Sequence, residues 1–175
     1  TYVHSGGEGT SDSFTYSISD ETNNTSNIAT VTITITPIND EPVVADVTKT
    51  LDEGASADIN VSGTDAEGAI LVYEIVTQPL YGTYTFDTSS GIGYYTHDGS
   101  ETTTDTFSYS VSDGTLSSTG SVTVTITPQN DAPVGVADTY YITRNSNTEM
   151  DASVGVLRND TDSDSDSSTF SVNVG

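Results

Sequence analysis

The 175-residue sequence contains no cysteine and no tryptophan, and only three of its residues are Lys or Arg. Without cysteine there is no disulfide framework, no thiolate metal site and no cysteine nucleophile. The three basic residues stand against 26 Asp and Glu, a formal net charge of −23, which makes nucleic acid and anionic membranes poor partners. No apolar run approaches the roughly 18 residues of a membrane-spanning helix, so we expect no membrane insertion. The first residues carry no signal-peptide pattern, and we expect an internal excerpt of a soluble or exported chain.

The sequence repeats itself at an interval of about 91 residues. The matching segments are 2–6 with 95–99 and 12–20 with 105–113, both at an offset of 93, and 31–43 with 122–134 at an offset of 91. Such an interval is the size of one immunoglobulin-like β-sandwich, which is about 100 residues long. The change of offset falls in a polar stretch, where we expect a loop.

Apolar and polar residues alternate within the repeat, as in strands that have one buried face. Phe107, Tyr109 and Val111 share one such face, and no segment has helical spacing. The strand-like runs, separated by turn residues, are 43–50, 57–62, 70–77, 83–87, 93–97, 105–112 and 119–127. The sequence therefore predicts an all-β fold of tandem Ig-like, seven-stranded Greek-key β-sandwich repeats.

The sequence is out of phase with its own repeat. We expect residues 1–40 to be the last strands of one sandwich, 41–131 a complete sandwich and 132–175 the opening strands of a third. Half-sandwiches expose unpaired strand edges and an open core. Two interpretations remain open: the missing halves belong to a longer array, or 132–175 and 1–40 complete one sandwich by strand exchange, within one chain or between chains. Exchange between chains is a homo-assembly that would extend as a filament.

Acidic residues fall in the loops at both poles of the predicted sandwich. Successive strands reverse direction, so odd-numbered loops and the chain exit share the lower pole, and even-numbered loops and the chain entry share the upper pole. Carboxylates that converge in this way repel unless a cation neutralises them. Ca²⁺ accepts six to eight oxygen ligands in flexible geometry, whereas zinc prefers His or Cys. The candidate metal ligands are Asp52, Glu53, Asp98, Glu101, Asn130 and Asp131 at the lower pole, Asn39, Asp40, Asp65, Glu67 and Asp113 at the upper pole, and Asp160, Asp162, Asp164 and Asp166 in the third segment.

The third-segment run has two interpretations. Taken alone, residues 160–166 are typical of a flexible acidic linker, whereas their place opposite the lower pole favours an ion-binding loop. The run lacks the glycine at position six and the terminal glutamate of an EF-hand loop, which excludes that family. The glycine-rich segment 6–9 is given no metal role, because it occurs once and lacks the aspartate of a calcium nonapeptide.

Four segments carry a resemblance to a known family: Asp105-x-Phe107-x-Tyr109-x-Val111-x-Asp113-Gly114, Val122 through Ile126, Pro128-x-Asn130-Asp131-x-Pro133 and Tyr95-x-His97-Asp98-Gly99-Ser100. The sequence resembles the tandem cadherin-like, immunoglobulin-like repeats of large bacterial surface adhesins. That resemblance implies an extracellular location and calcium at each junction between repeats. It assigns ligand roles at the second junction to Glu53, Asp98 with Glu101, Asn130 with Asp131, and Asp162 or Asp164, and at the first to Asn39, Asp40, Asp65, Glu67 and Asp113. Pro128 and Ala132 stand where the linker of cadherins carries further Asp and Asn ligands. We therefore expect one or two ions per junction instead of three.

The leading functional prediction is a calcium-rigidified structural and adhesive spacer, a module of a cell-surface adhesin or extracellular filament that contacts neighbouring repeats of its own chain. A second is a carbohydrate-binding module for surface glycans, through Tyr81, Tyr84, Tyr94, Tyr95, Tyr140 and Tyr141, although alternation places about half of them in the core. We expect no enzyme, because paired carboxylates alone do not make a glycosidase and there is no nucleophile elbow. His4 and His97 occupy equivalent repeat positions, which favours bracing a loop over chemistry.

Overall fold

The computed structural model describes residues 1–141, 144, 155–164 and 170–172. Within these residues the chain forms strands and turns and no helix, which confirms the all-β prediction. The strands are β1 (Ser11–Tyr16), β2 (Ala29–Thr34), β3 (Val43–Val44), β4 (Val47–Asp52), β5 (Ser56–Asp58), β6 (Gly63–Thr64), β7 (Val72–Thr77), β8 (Gly82–Phe86), β9 (Gly93–His97), β10 (Thr104–Ser112) and β11 (Ser117–Thr127).

Strands β3 to β11 form a two-layered β-sandwich. One layer is the four-stranded sheet β4-β11-β10-β7, in which β4 runs parallel to β11 and the other neighbours are antiparallel. The other layer contains the three-stranded sheet β5-β9-β8 and the short pair β3-β6. Hydrogen bonds from the amides of Ile59 and Val61 to the carbonyl oxygens of Gly93 and Gly91, 3.0 and 2.9 Å long, continue the β5–β9 pairing towards β6. The predicted cadherin-like β-sandwich is thus confirmed.

The first predicted strand is divided in the structure, and the second keeps only residues 57 and 58 in a strand, β5. The run 43–50 becomes β3, which pairs with β6, and β4, which pairs with β11, so the chain changes layers between them. At the change, Asp46 Oδ1 accepts hydrogen bonds from the backbone amide and the hydroxyl of Ser121, both 2.8 Å long. In the run 57–62, Asn60 Oδ1 accepts the Gly93 amide at 3.1 Å, so a side chain interrupts the regular ladder.

The core lies between the two layers. Phe107, Tyr109 and Val111 are at most 2% exposed, as the alternation along β10 predicts. The buried apolar residues are Leu51, Ile59, Val61, Tyr73, Tyr84, Tyr95, Phe107, Tyr109, Val111, Val122, Val124 and Ile126. The ring of Phe107 lies 4.7 Å from that of Tyr84, centre to centre, and therefore joins the layers through aromatic packing.

Two core tyrosines lie against glycines on a neighbouring strand. A Cβ atom on Gly93 would lie 2.1 Å from the hydroxyl of Tyr84, and one on Gly120 would lie 2.8 Å from the ring of Tyr109. No side chain other than hydrogen fits at either position. The glycines of β9 and β11 are therefore part of the packing of the core.

One carboxylate is buried within the sandwich. Asp105 is 2% exposed, and its oxygens accept the backbone amides of Leu80 and Tyr81 at 3.0 Å and of Thr106 at 2.8 Å. The hydroxyl of Tyr95 donates a further hydrogen bond at 2.8 Å. Four donors compensate the loss of hydration, which explains an aspartate at the start of the Asp-x-Phe-x-Tyr motif.

Strands β1 and β2 form a hairpin with the same register as β10 and β11. Phe14 faces Val31 as Phe107 faces Val122. Phe14 is nevertheless 51% exposed where Phe107 is 2% exposed, because no second layer covers the hairpin among the described residues. The division of the chain into 1–40, 41–131 and 132–175 stays a prediction.

The residues after the sandwich begin like the sandwich itself. The β-bridge between Val134 and Thr161 repeats the pairing of β3 with β6. It aligns residues 161–164 with residues 64–67, so the acidic run is the counterpart of the acidic loop after β6.

Candidate metal centre

A first carboxylate cluster lies where the chain enters the sandwich. It consists of Glu8, Asp40 and Glu67, which each place one carboxylate oxygen within 4.8 Å of the others. The backbone amide of Asp40 donates to Glu67 Oε2 at 3.2 Å. Beside them, Asn39 Nδ2 donates to Asp113 Oδ2 at 2.7 Å. The group thus links the chain before the sandwich to the loop after β6 and to the loop between β10 and β11.

A second carboxylate cluster lies where the chain leaves the sandwich. Glu53, Glu101 and Asp131 each place one carboxylate oxygen within 4.8 Å of the others. The amide of Gln129 donates to Glu53 Oε2 at 3.2 Å, and the amide of Asp131 donates a short hydrogen bond to Asp164 Oδ2. This cluster links the β4–β5 loop, the β9–β10 loop and the chain exit.

The two clusters are built alike. In both, the amide of an aspartate that follows an asparagine donates to a carboxylate of the next acidic loop. In both, the side-chain amide of that asparagine donates to the carbonyl oxygen of the aspartate. The corresponding residues are Glu8 and Glu101, Asp40 and Asp131, Asn39 and Asn130, and Glu67 and Asp164.

Lost hydration and neighbouring carboxylates together raise the pKa of one glutamate in each cluster. Lost hydration is the largest cause for both Glu8 and Glu101, and neighbouring carboxylates raise the two pKa values further. The repelling groups are Glu67 and Asp40 around Glu8, and Asp164, Glu53 and Asp131 around Glu101. A cation placed among these oxygens would oppose the shift, because it favours the ionised carboxylate.

The donor set fits a hard cation. Two oxygens bound to one Ca²⁺ ion lie no more than about 5 Å apart, since each bond is about 2.3–2.6 Å long, and both clusters meet this limit. Both clusters consist of carboxylates, with an asparagine alongside, and neither includes His or Cys. Asp65, in the loop that carries Glu67, accepts the Ala69 amide through Oδ1 at 2.8 Å, while its Oδ2 is buried without a hydrogen-bond partner.

Two of the predicted ligands hold their own loops. Asp98 accepts the Ser100 amide at 3.0 Å, and hydrogen bonds from Ser100 hold the pKa of Asp98 below its ordinary value. Asp113 accepts the Leu116 amide at 2.7 Å as well as the side-chain amide of Asn39. Hydrogen bonds, that of Asn39 first, likewise hold the pKa of Asp113 low.

The remaining predicted ligands have different surroundings. Asp160 Oδ1 accepts the Val136 amide at 2.7 Å, and Asp162 Oδ1 accepts the Asp164 amide at 2.8 Å. Asp52 is exposed at the end of β4. Asp166 lies outside the described residues. The assignment of all these residues to an ion stays a prediction.

Glu8 is the cluster residue that sequence reasoning missed. The glycine-rich segment that contains it lacks the aspartate of a calcium nonapeptide, and that pattern alone indicates no metal role. The offset of 93 that relates His4 to His97 also relates Glu8 to Glu101, a residue that was predicted as a ligand. Applying the repeat offset to every candidate ligand would have found Glu8.

The tyrosines proposed as a sugar platform divide into two groups. Tyr84 and Tyr95 are 7% and 0% exposed, so their rings are not available to a glycan. Those that remain exposed are Tyr81, Tyr94, Tyr140 and Tyr141. Glycan binding stays a prediction for this second group.

The two-layered sandwich, with β4 parallel to β11 and acidic groups at chain entry and exit, defines the class of immunoglobulin-like, cadherin-like β-domains. Within that class, the family model described as "Bacterial cadherin-like domain" matches residues 39–128. The match covers just over half of the chain, and the chain belongs to this family.

Solved structures with similar folds include cadherins. Extracellular cadherin domains 3–6 of protocadherin gamma B2 match with a TM-score of 0.50 and 21% identity, over 67% of this chain and 32% of that one. Drosophila N-cadherin EC1–4 matches with a TM-score of 0.45 and 14% identity, over 59% and 28% of the two chains. An endo-fucoidan hydrolase from glycoside hydrolase family 107 matches with a TM-score of 0.41 and 17% identity, over 71% and 21%. The chain thus spans about a fifth to a third of the length of these structures, and the likeness concerns the fold alone.

No curated protein matches the sequence. Among the described residues there is no helix of the length and apolarity needed to cross a membrane.

Proposed function

We propose that the chain is a calcium-rigidified repeat module of an extracellular protein, a structural and adhesive spacer of a cell-surface adhesin or extracellular filament. The observation that carries the proposal is the presence of a carboxylate cluster at both the entry and the exit of the sandwich, with two of the three members at equivalent repeat positions. Membership of the bacterial cadherin-like family supports the extracellular location and a role without catalysis.

The proposed mechanism is electrostatic. In the metal-free protein, carboxylates from three separate segments repel within each cluster and favour separation of the segments. Bound Ca²⁺ would supply compensating charge and oxygen coordination. Glu8, Asp40 and Glu67 would hold the ion at the entry, and Glu53, Glu101 and Asp131 at the exit. The segments that meet at a junction would then be ordered only when Ca²⁺ is bound, and binding would add to the free energy of unfolding.

Calorimetric unfolding with Ca²⁺ and then with chelator tests this proposal. One site filled at a hundred times its dissociation constant adds about 2.7 kcal/mol to the free energy of unfolding, so we expect a clear rise in melting temperature. Asp131→Ala should reduce the rise because it removes one carboxylate of the second cluster. Glu74→Ala, which removes an exposed carboxylate of β7 outside both clusters, should leave it unchanged. A wild-type protein with equal melting temperatures in the two buffers would contradict the proposal.

A second candidate function is that of a strand-exchanging filament subunit. The exposed apolar face of the β1–β2 hairpin favours it, since Phe14 and Tyr16 are 51% and 49% exposed. We propose that residues 132–175 of another copy cover this face.

Light scattering on variant chains tests the exchange. Deleting 132–175 should abolish assembly, and Phe14→Ser with Tyr16→Ser should weaken it. Ile70→Ser, a change at a residue that is 89% exposed outside the hairpin, serves as the control. Assembly that persists after the deletion, or a wild-type chain that stays monomeric, would refute the exchange and leave neighbouring repeats as the partners of both ends.

A further inference from the structure

His97 is a buried polar residue at the end of β9 that belongs to neither carboxylate cluster. It is 3% exposed. Its Nδ1 accepts the backbone amides of Gly54 at 3.1 Å and Gly99 at 3.3 Å. Two amide donors at Nδ1 require that nitrogen to be unprotonated, so the ring proton lies on Nε2. Nε2 in turn lies 3.2 Å from Thr102 Oγ1 and donates to it.

The hydrogen-bond partners of His97 lie next to the second cluster in sequence. Gly54 follows Glu53, and Thr102 follows Glu101. The backbone amide of His97 also donates to the Ala55 carbonyl oxygen at 3.0 Å, which holds the β4–β5 loop to the end of β9. One imidazole therefore fastens the two loops that carry Glu53 and Glu101.

This fastening opposes the repulsion between the two glutamates. Lost hydration and the surrounding carboxylates, Glu53 among them, raise the pKa of Glu101, as expected where negative charges are crowded. The Glu53 amide donates to the Thr127 carbonyl oxygen at 3.0 Å, which fixes the β4–β5 loop to β11 but not to the loop that carries Glu101. The ring is rigid, and its three hydrogen bonds set the spacing of the loops before any ion arrives. Such pre-organisation raises the affinity of a binding site.

We propose that His97 is the positioning residue of the second cluster: it sets the affinity of that cluster for Ca²⁺ without being a ligand. The inference rests on the proposed function, because it requires the cluster to bind the ion. It does not extend to the first cluster, where the repeat counterpart His4 is exposed. The first cluster is therefore an internal reference for every measurement.

Calcium titration of the folded full chain, followed by calorimetry, tests the role. His97→Leu removes both ring nitrogens, and we expect about tenfold weaker binding at the second cluster, in the range typical of residues that orient ligands. His97→Asn retains an acceptor near the position of Nδ1 and should restore most of the affinity. Thr102→Val removes only the hydroxyl group that accepts from Nε2, and it should give a smaller loss. Asp131→Ala identifies which binding phase belongs to the second cluster.

The controls separate positioning from general stability. Tyr84→Phe removes a buried 2.7 Å hydrogen bond to the Ile59 carbonyl oxygen in the same layer, and it should lower the melting temperature without changing calcium affinity. If His97→Leu does not fold, the calcium affinities of His97→Asn and Thr102→Val provide the test. Wild-type affinity at the second cluster in all the folded variants would overturn the inference and leave the proposed function intact. A wild-type chain that binds no Ca²⁺ would overturn both.

Discussion

Asp105 and Asp12 occupy equivalent positions in two copies of the repeat, and their surroundings show what burial demands of one residue. Asp12 accepts a hydrogen bond from the hydroxyl of Tyr2 at 3.1 Å, as Asp105 does from Tyr95, and it also accepts the Ser13 amide at 2.7 Å. Asp105 is buried and accepts two further amides, from the loop before β8. The same residue is therefore expected to matter for stability in one copy and little in the other.

Asp105→Asn should destabilise the sandwich by about 2–4 kcal/mol. An Asn amide group replaces one accepting oxygen with donors, so two of the four donors that face Asp105 lose their partner in the core, at about 1–2 kcal/mol each, in the lower part of the usual range. Urea unfolding followed by tyrosine fluorescence measures the loss. Asp12→Asn makes the same chemical change at an exposed site and should shift the midpoint little. Equal effects of the two substitutions would show that burial of Asp105 is not what makes it important.

Residue identity in the clusters was only partly predictable from sequence. Loop parity indicated which acidic residues approach one another, and Asp40, Glu67, Glu101 and Asp131 are among those that the structure brings together. Parity gives the pole of a loop but not the direction of a side chain. Asp98, for example, accepts hydrogen bonds within its own loop, which the strand pattern does not encode.

At the scale of strands, alternation predicted β8 to β11 to within two residues and failed where the chain changes layers. The pattern of 43–50 is that of one strand, and its division into β3 and β4 depends on hydrogen bonds to a strand 75 residues away in sequence. The alternation of apolar and polar residues within one segment does not encode a hydrogen bond to a strand so distant in sequence. The divided strand therefore requires tertiary structure to explain it.

Asp46→Ala should lower the melting temperature at neutral pH but not in strong acid. The amide and hydroxyl of Ser121 hold the pKa of Asp46 below its ordinary value of 3.8. Because they favour the ionised form, their stabilising effect is complete above pH 3.8 and disappears as the pH falls through the lower folded-state pKa. Melting curves of wild type and variant should therefore converge below pH 3.8.

Asp58→Ala supplies the control for this pH series. Asp58 is an exposed carboxylate on β5, and replacing it with Ala changes the net charge by the same amount as Asp46→Ala does. A difference between wild type and Asp46→Ala that stays constant from neutral to acid pH would mean that the hydrogen bonds to Ser121 do not stabilise the divided strand.

At the scale of the molecule, net charge and cluster geometry act together. A charge of −23 on 175 residues favours extended, separated segments in the metal-free chain. The two clusters place six of the 26 acidic residues at the entry and exit of the sandwich. Ion binding at these points would therefore change the orientation of segments more than it changes the sandwich between them.

Small-angle scattering should consequently distinguish the calcium-bound chain from the metal-free chain. With Ca²⁺ we expect a narrow distribution of distances within the particle and a single longest dimension, and with chelator a broad distribution, because unneutralised carboxylates would repel at each junction. Asp131→Ala should give an intermediate distribution, since the first cluster remains, and Glu74→Ala should match the wild type. Mg²⁺ at equal concentration should have less effect, because it requires octahedral geometry and gives up its water reluctantly. If the Ca²⁺ and chelator curves superimpose while calorimetry still shows binding, the ion stabilises the loops without fixing the orientation of adjoining segments.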